Sequence, residues 1–183
     1  LRTQQLDYIA KTELESTSVL PSKVILTKPV LHVLLQGNDS HKEAAYEIMT
    51  RTTGLEWGRM VADGYQTCWE GFETINSHSH AWTAYPAKMF LAYLAGITYN
   101  DVNYTGVQVK PYLPADLSYV EGSLETPAGE TIAVRLDKNQ DNSKSLNVNT
   151  QVAARIGVPR FDMENTTVSL DGTVLFEDGA ATN

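Results

Sequence analysis

The sequence holds a single cysteine, Cys68, so no intrachain disulfide is available to it. It has no apolar run long enough to cross a bilayer, and no internal repeat or low-complexity tract. Basic residues are in the minority. Against 22 Asp and Glu stand 14 Lys and Arg, for a formal net charge of −8. A field of that sign repels phosphate backbones and anionic lipid surfaces, which argues against nucleic-acid and membrane partners. Neutral ligands such as sugars are indifferent to it. The opening residues, Leu1-Arg2-Thr3-Gln4, include no initiator Met and no basic-then-apolar signal pattern. The numbering is therefore expected to begin inside a longer precursor, and the missing signal leaves the compartment open. Asn38, Asn103 and Asn165 head N-x-S/T triplets, which would be glycan acceptors in a secreted eukaryotic protein and otherwise arise by chance.

What is present suits a globular chain. At 42% hydrophobic and 183 residues, it can build one large core or two small ones. Residues 1–97 read as helical. Leu6, Ile9 and Ala10 recur at helical spacing, and Pro21-Ser22 breaks the run. Val24 to Leu35 is apolar and stops at Gly37; Pro29 places the predicted start near Thr27, with the proline in the first turn. Ser40 and Glu43 have capping-box spacing ahead of the stripe Ala44, Ala45, Ile48 and Met49. A last helix is expected from about Trp82 to Ala95, with Trp82, Tyr85, Met89 and Tyr93 near one face and Gly96 as its stop.

Past Ile97 the period changes to two. Val107 and Val109 alternate, as do Ile132, Val134 and Leu136, then Leu146 and Val148, then Val168 and Leu170. Turn signals separate these runs: Pro114-Ala115-Asp116, Pro127-Ala128-Gly129, Asp141-Asn142-Ser143 and Asp171-Gly172. Short strands at this spacing predict an antiparallel β-sandwich over 98–183. Asp171-Gly172 is a two-residue hairpin signal.

Between the helices lies a stretch without sustained period, and it carries the chemistry. Asp63 to Trp82 holds Asp63, Glu70, Glu73, His78, His80, Trp69 and Trp82. Sugars stack their apolar faces on indole rings, while carboxylates bond hydroxyls or activate water. Glu70 follows a Trp in an apolar setting, where partial burial would raise its pKa and suit general-base work. A chance Trp-Glu neighbour is the competing explanation. His78 and His80 are two apart, on opposite sides of an extended chain, and no second Cys/His cluster supports a metal. Cys68 reads as a small buried hydrophobe before it reads as a nucleophile. His32 and His41 sit in helices as structural or exposed groups, and Trp57 reads as core.

In order and spacing these segments form a pattern. Gly64-Tyr65-Gln66-Thr67-Cys68-Trp69-Glu70-Gly71-Phe72 leads a small, Thr-containing stretch to a W-E pair. Ser79-His80-Ala81-Trp82 and Ala84-Tyr85-Pro86 open a helix that stops at Leu94-Ala95-Gly96-Ile97. Val109-Lys110-Pro111, Asp116-Leu117, Gly122-Ser123-Leu124 and Thr126-Pro127-Ala128-Gly129 follow. Together with Gly37-Asn38-Asp39 and Ala44-Ala45-Tyr46 upstream, they resemble the α-L-rhamnosidase family of glycoside hydrolases over roughly residues 20–137.

The resemblance implies an α+β chain in two parts. Residues 1–97 would be the C-terminal portion of a helical (α/α)6 toroid, and 98–183 a C-terminal β-sandwich. It implies an inverting hydrolase of terminal α-L-rhamnose; from the residues themselves no cofactor or metal is expected. Glu70 matches the general base and His80 the sugar-contacting histidine; Trp69 and Trp82 would line the pocket. The family's general acid lies in an acidic, Arg-containing motif that nothing in this chain matches. The chain alone is therefore expected to be inactive, and to leave apolar helix faces for the remainder of the catalytic domain or for a second copy. By analogy with external glycosylated substrates, a secreted location is expected. Two other classes stay open: a non-catalytic carbohydrate-binding or structural remnant of the same fold, and an unrelated interaction module of helical hairpin plus sandwich.

Overall fold

The computed structural model describes residues 2–16, 23–54, 56–72, 76–100, 102, 105–157, 167–177 and 180–181. The Pro21-Ser22 break, Glu73 and the triplet asparagines Asn103 and Asn165 lie outside them.

The helical part begins with α1 (Arg2–Leu14), α2 (Lys23–Leu35) and α3 (Asp39–Thr50). Their apolar stripes meet in one core, where Leu6, Leu31, Leu34, Ala45, Ile48 and Met49 are buried. Each fully buried aliphatic side chain of this kind contributes about 1.5–3 kcal/mol. Two local expectations give way here. Helix α2 starts at Lys23, and Pro29 sits inside it, past the first turn. The proline lacks the N–H that would bond the Ile25 carbonyl, but both residues are exposed, so water can take that bond. The cap of α3 is Asn38 with His41, in place of Ser40 with Glu43. The Asn38 side chain accepts from the His41 N–H at 3.1 Å, and His41 Nδ1 accepts from the Asn38 N–H at 3.2 Å. The buried His41 ring then meets Asp7 of α1 at 2.7 Å. Glu43, released from capping, turns to the β part. Its carboxylate accepts from the Tyr112 hydroxyl at 2.6 Å and from the Ala115 N–H at 2.8 Å.

A buried ion pair joins the ends of three helices. Arg51 follows α3, and Glu56 caps the short helix α4 (Trp57–Ala62). Their side chains meet at 2.9 Å, with Glu56 fully enclosed. Arg51 also reaches the Glu13 and Leu14 carbonyls, the last of α1, at 3.4 and 3.2 Å. Those carbonyls have no intrahelical partner and need a donor. Gly54 leaves the space that Glu56 occupies; a Cβ there would fall 1.9 Å from its carboxylate.

The predicted last helix is three pieces. A 3-10 turn covers Ala81–Thr83, α5 covers Tyr85–Met89, and a π-helical turn covers Phe90–Leu94. Pro86 favours this division, because a residue without an N–H is best placed in a first turn, where α5 carries it. Trp82 is consequently outside the helix and 49% exposed, while Tyr85 and Met89 are buried. Gly96, at φ +74°, ends the run. A Cβ at Gly96 would lie 2.2 Å from the Lys110 carbonyl carbon, so only glycine admits this approach.

The strands begin at Ile97. A first sheet orders β1 (Ile97–Tyr99), β2 (Gly106–Val109) and β6 (Ala153–Ile156) as β1-β2-β6. A second holds β3 (Tyr119–Glu125), β4 (Thr131–Lys138) and β5 (Lys144–Thr150). Ile97, Val107 and Val109 of the first pack with Ile132 and Val134 of the second to make the sandwich core. The predicted alternation holds, with Ile132, Val134 and Leu136 buried in turn along β4. One pair departs from the antiparallel expectation: β2 and β6 run parallel, Val107 opposite Ala154. The third sheet, β7 (Thr167–Leu170), β8 (Thr173–Glu177) and β9 (Ala180–Ala181), is antiparallel. Its first turn is Asp171-Gly172, both at positive φ, as the hairpin signal predicts. Leu94, Leu113, Val120 and Leu136 form a further core against Tyr46 and Phe90, which seats the sandwich on the helices.

Candidate functional site

The irregular segment after α4 is held by side-chain-to-backbone bonds. Asp63 closes α4, its N–H on the Arg59 carbonyl and its carboxylate on the Arg59 guanidinium at 2.7 Å, which removes it from the candidate acids. Beyond Gly64 the chain extends and doubles back. The Glu70 N–H donates to the Ser77 carbonyl, and the His80 N–H to the Cys68 carbonyl, each at 2.8 Å. The Thr67 hydroxyl bonds the His78 carbonyl.

Thr83 fixes this doubled arm to the core. Fully buried, its hydroxyl shares its proton between the Trp69 carbonyl at 2.7 Å and the His80 carbonyl at 2.9 Å. The Thr83 carbonyl in turn accepts from the Trp57 indole at 2.7 Å. Trp57 is core, as read from the sequence; it meets Phe72 and Tyr85 edge-on, with ring centroids 4.9 and 5.3 Å apart. Burial pushes the Tyr85 phenol well above the usual tyrosine range, and a hydrogen bond with Thr27 offsets part of that.

The predicted site residues separate into inward and outward groups. Trp69 is buried at 3% exposure and meets Tyr65 edge-on at 4.8 Å, with the His78 ring at 6.4 Å. Its indole N–H is buried with no acceptor among the described residues. Glu70, the next residue, is half-buried. Its carboxylate makes no ion pair with a described residue. Trp82 Nε1 donates to the Glu70 carbonyl at 2.7 Å, and the Trp82 ring lies 4.5 Å from the His80 ring, tilted by 41°. The structure thus brings the Glu70 backbone, Trp82 and His80 together and buries Trp69 in the core. His78 and His80 have different aromatic neighbours, and no three His, Cys, Asp or Glu among the described residues gather around a common point. Cys68, half-buried, meets His80 through backbone only. His41 is buried in its helix pairing, and exposed His32 bonds Tyr93. Sequence reasoning missed Thr83 and the Arg51–Glu56 pair; neither has a spacing that announces it.

Solved structures share this arrangement. An alpha-L-rhamnosidase from Dictyoglumus thermophilum matches over 84% of this chain at 23% identity and a TM-score of 0.71. A GH78 family rhamnosidase of Bacillus sp. GL1 matches over 75% at 20% identity and a TM-score of 0.63. The Streptomyces avermitilis alpha-L-rhamnosidase, solved with L-rhamnose, matches over 95% at 19% identity and a TM-score of 0.73. The matches take in 18%, 15% and 18% of those chains, so the present chain spans less than a fifth of their length. Among curated proteins no relative matches. The fold is theirs: helices of a rhamnosidase toroid, followed by β-sheets. The bacterial alpha-L-rhamnosidase six-hairpin glycosidase domain matches residues 3–94 in sequence, the whole helical part. With half the chain so matched, and the sheets after it arranged as in solved rhamnosidases, the protein belongs to the bacterial α-L-rhamnosidase family of six-hairpin glycosidases.

Proposed function

We propose that this chain supplies the general base, Glu70, of an inverting glycoside hydrolase that removes terminal α-L-rhamnose. The observation that carries the reading is the surface formed by Glu70, His80 and the half-exposed Trp82. Trp82 offers an indole face to the apolar side of a deoxy sugar, and the His80 ring offers a nitrogen to a hydroxyl. Glu70 takes a proton from the attacking water while a carboxylic acid on the far side protonates the leaving oxygen. In an inverting pair the two carboxyls stand about 6.5–9.5 Å apart, with the water between. That acid belongs to a segment outside this chain, so the chain alone does not turn over substrate.

The test is hydrolysis of an aryl α-L-rhamnoside by the protein that carries both this chain and the acid-bearing segment. E70Q is expected to lower kcat by about 10²–10⁴-fold, the usual worth of a general base. NMR of the first-formed sugar is expected to show the inverted anomer. Activity of this chain by itself, abolished by E70Q, would overturn the division of labour; unchanged activity in E70Q would overturn the role of Glu70.

A further inference from the structure

Both peptide units that flank Glu70 are tied to residues distant in the chain. A peptide unit is planar, so one bond at its carbonyl and another at its N–H fix its orientation. The unit joining Trp69 to Glu70 is held at both ends. Its carbonyl accepts from the Thr83 hydroxyl at 2.7 Å, and its N–H donates to the Ser77 carbonyl at 2.8 Å. The unit joining Glu70 to Gly71 is held at its carbonyl, by the Trp82 indole N–H at 2.7 Å. The φ and ψ of Glu70 are thus restrained by tertiary contacts, and its side-chain torsions are left to turn. The carboxylate itself bonds no described residue.

The two side-chain donors are neighbours in the 3-10 turn Ala81–Thr83. They reach successive carbonyls, Thr83 that of Trp69 and Trp82 that of Glu70. Thr83 is fully buried, where a hydrogen bond is stronger than in water, and its hydroxyl also bonds the His80 carbonyl at 2.9 Å. The His80 N–H adds a bond to the Cys68 carbonyl at 2.8 Å. One short turn therefore sets the spacing between the Glu70 and His80 backbones. Trp82 is half exposed, and stacking on a sugar would use its ring but not its N–H.

We infer that Trp82 and Thr83 are positioning residues for Glu70: they clamp its backbone and so set where its carboxylate stands relative to the attacking water. The inference rests on the general-base role proposed above. A catalytic group works only within about 0.5 Å of its productive place, so its supporting contacts matter. A misplacement of about 1 Å can cost about 10²-fold in rate. In this arrangement the Trp82 N–H serves catalysis and the Trp82 ring serves binding, and the two can be separated by substitution.

The test is Trp82→Phe in the protein that carries both this chain and the acid-bearing segment. The substitution keeps an aromatic face and deletes the N–H. On an aryl α-L-rhamnoside, kcat is expected to fall about tenfold or more while KM stays within about twofold of the parent. In the E70Q background the same substitution should change kcat little, because a base that is absent cannot be misplaced. Thr83→Val is expected to lower kcat in the same way, and Thr83→Ser, which returns the hydroxyl, to restore it. Hydrogen exchange of the Glu70 amide should be faster in W82F and T83V than in the parent. A raised KM at the parent kcat in W82F would make Trp82 a stacking platform only and overturn the inference. Equal losses of kcat in the parent and E70Q backgrounds would overturn it too, as would unaltered exchange at Glu70. Failure of the base reading looks different: E70Q at full activity removes the base, and the clamp's bearing on catalysis with it. A slow E70Q beside a full-speed W82F keeps the base and removes the clamp.

Discussion

The sandwich and the Glu70 segment are held together by different means. In the sandwich the period of two does the work. Ile132, Val134 and Leu136 point inward by alternation, register pairs them with Thr150, Val148 and Leu146, and the turn residues follow their local chemistry. Side-chain hydrogen bonds add little to that core. The segment from Asp63 to Thr83 has no period, and its backbone is held by single polar contacts from far along the chain: Thr83 to Trp69, Trp57 to Thr83, Trp82 to Glu70. Regular structure spreads stability over many equivalent apolar contacts. An irregular segment concentrates it in a few bonds, each of which matters more.

Substitutions can break or sharpen that contrast. The largest effect is expected in the helical part at Arg51→Ala, which leaves the enclosed Glu56 carboxylate without its partner. A stability loss of about 3–5 kcal/mol is expected in denaturant titration. Replacing both members by apolar residues of similar size should recover most of it; no recovery would mean that the bonds to the Glu13 and Leu14 carbonyls dominate. Next is Ile132→Ala in the sandwich, with a loss of about 2–5 kcal/mol from transfer and cavity together. Its near-UV dichroism from the Trp57, Trp69 and Trp82 environment should stay as it was. Thr83→Val keeps the volume and deletes the shared hydroxyl bond, for about 1–3 kcal/mol. Here the expected readout is reversed: the tryptophan spectrum changes and the sandwich amides do not. Spectral silence in Thr83→Val would show that the arm is held by packing alone.

The smallest effect lies where the β part meets helix α3. Burial, then the hydrogen bond to Glu43 and the charges of Glu43 and Asp39, hold the Tyr112 phenol above the tyrosine range. Its folded-state pKa is raised, so its contribution is fully present below the unfolded value of about 10 and is lost as pH climbs above it. Stability measured from neutral to strongly alkaline pH should therefore fall less steeply in Tyr112→Phe than in the parent chain. Equal slopes would show that Tyr112 ionises as easily folded as unfolded.

Much of the architecture was legible because it is periodic. The stripe Ala44, Ala45, Ile48 and Met49 is buried as its spacing requires, and Asp171-Gly172 makes its hairpin. The misreadings share a cause. Local rule puts Pro29 in a first turn, yet the exposed Ile25 carbonyl is open to water and a proline deeper in the helix is tolerated. Ser40 and Glu43 had the right spacing for a cap, but Asn38 with His41 makes the same two bonds one residue outside the helix. Glu43 then serves a tyrosine distant in sequence. Helical spacing puts Trp82 on the face of Tyr85 and Met89, but the helix restarts at Tyr85 with Pro86 in its first turn and leaves Trp82 outside.

The sequence by itself determined the helix-to-strand change near residue 97, the inward residues of β4, the turns, and the W-E and S-H-A-W segments that carry the resemblance. Those features depend on side chains acting within a few residues of one another, so local spacing is enough. The tertiary structure alone decided which way Trp69 and Trp82 face, that Thr83 ties the arm to the core, that Arg51 closes over Glu56, and that β2 pairs parallel with β6. Thr83 with Trp69, Arg51 with the Leu14 carbonyl and β2 with β6 are separated in the chain by more than local spacing can read, and only the packed fold can choose among the partners that local chemistry leaves equally able to bond.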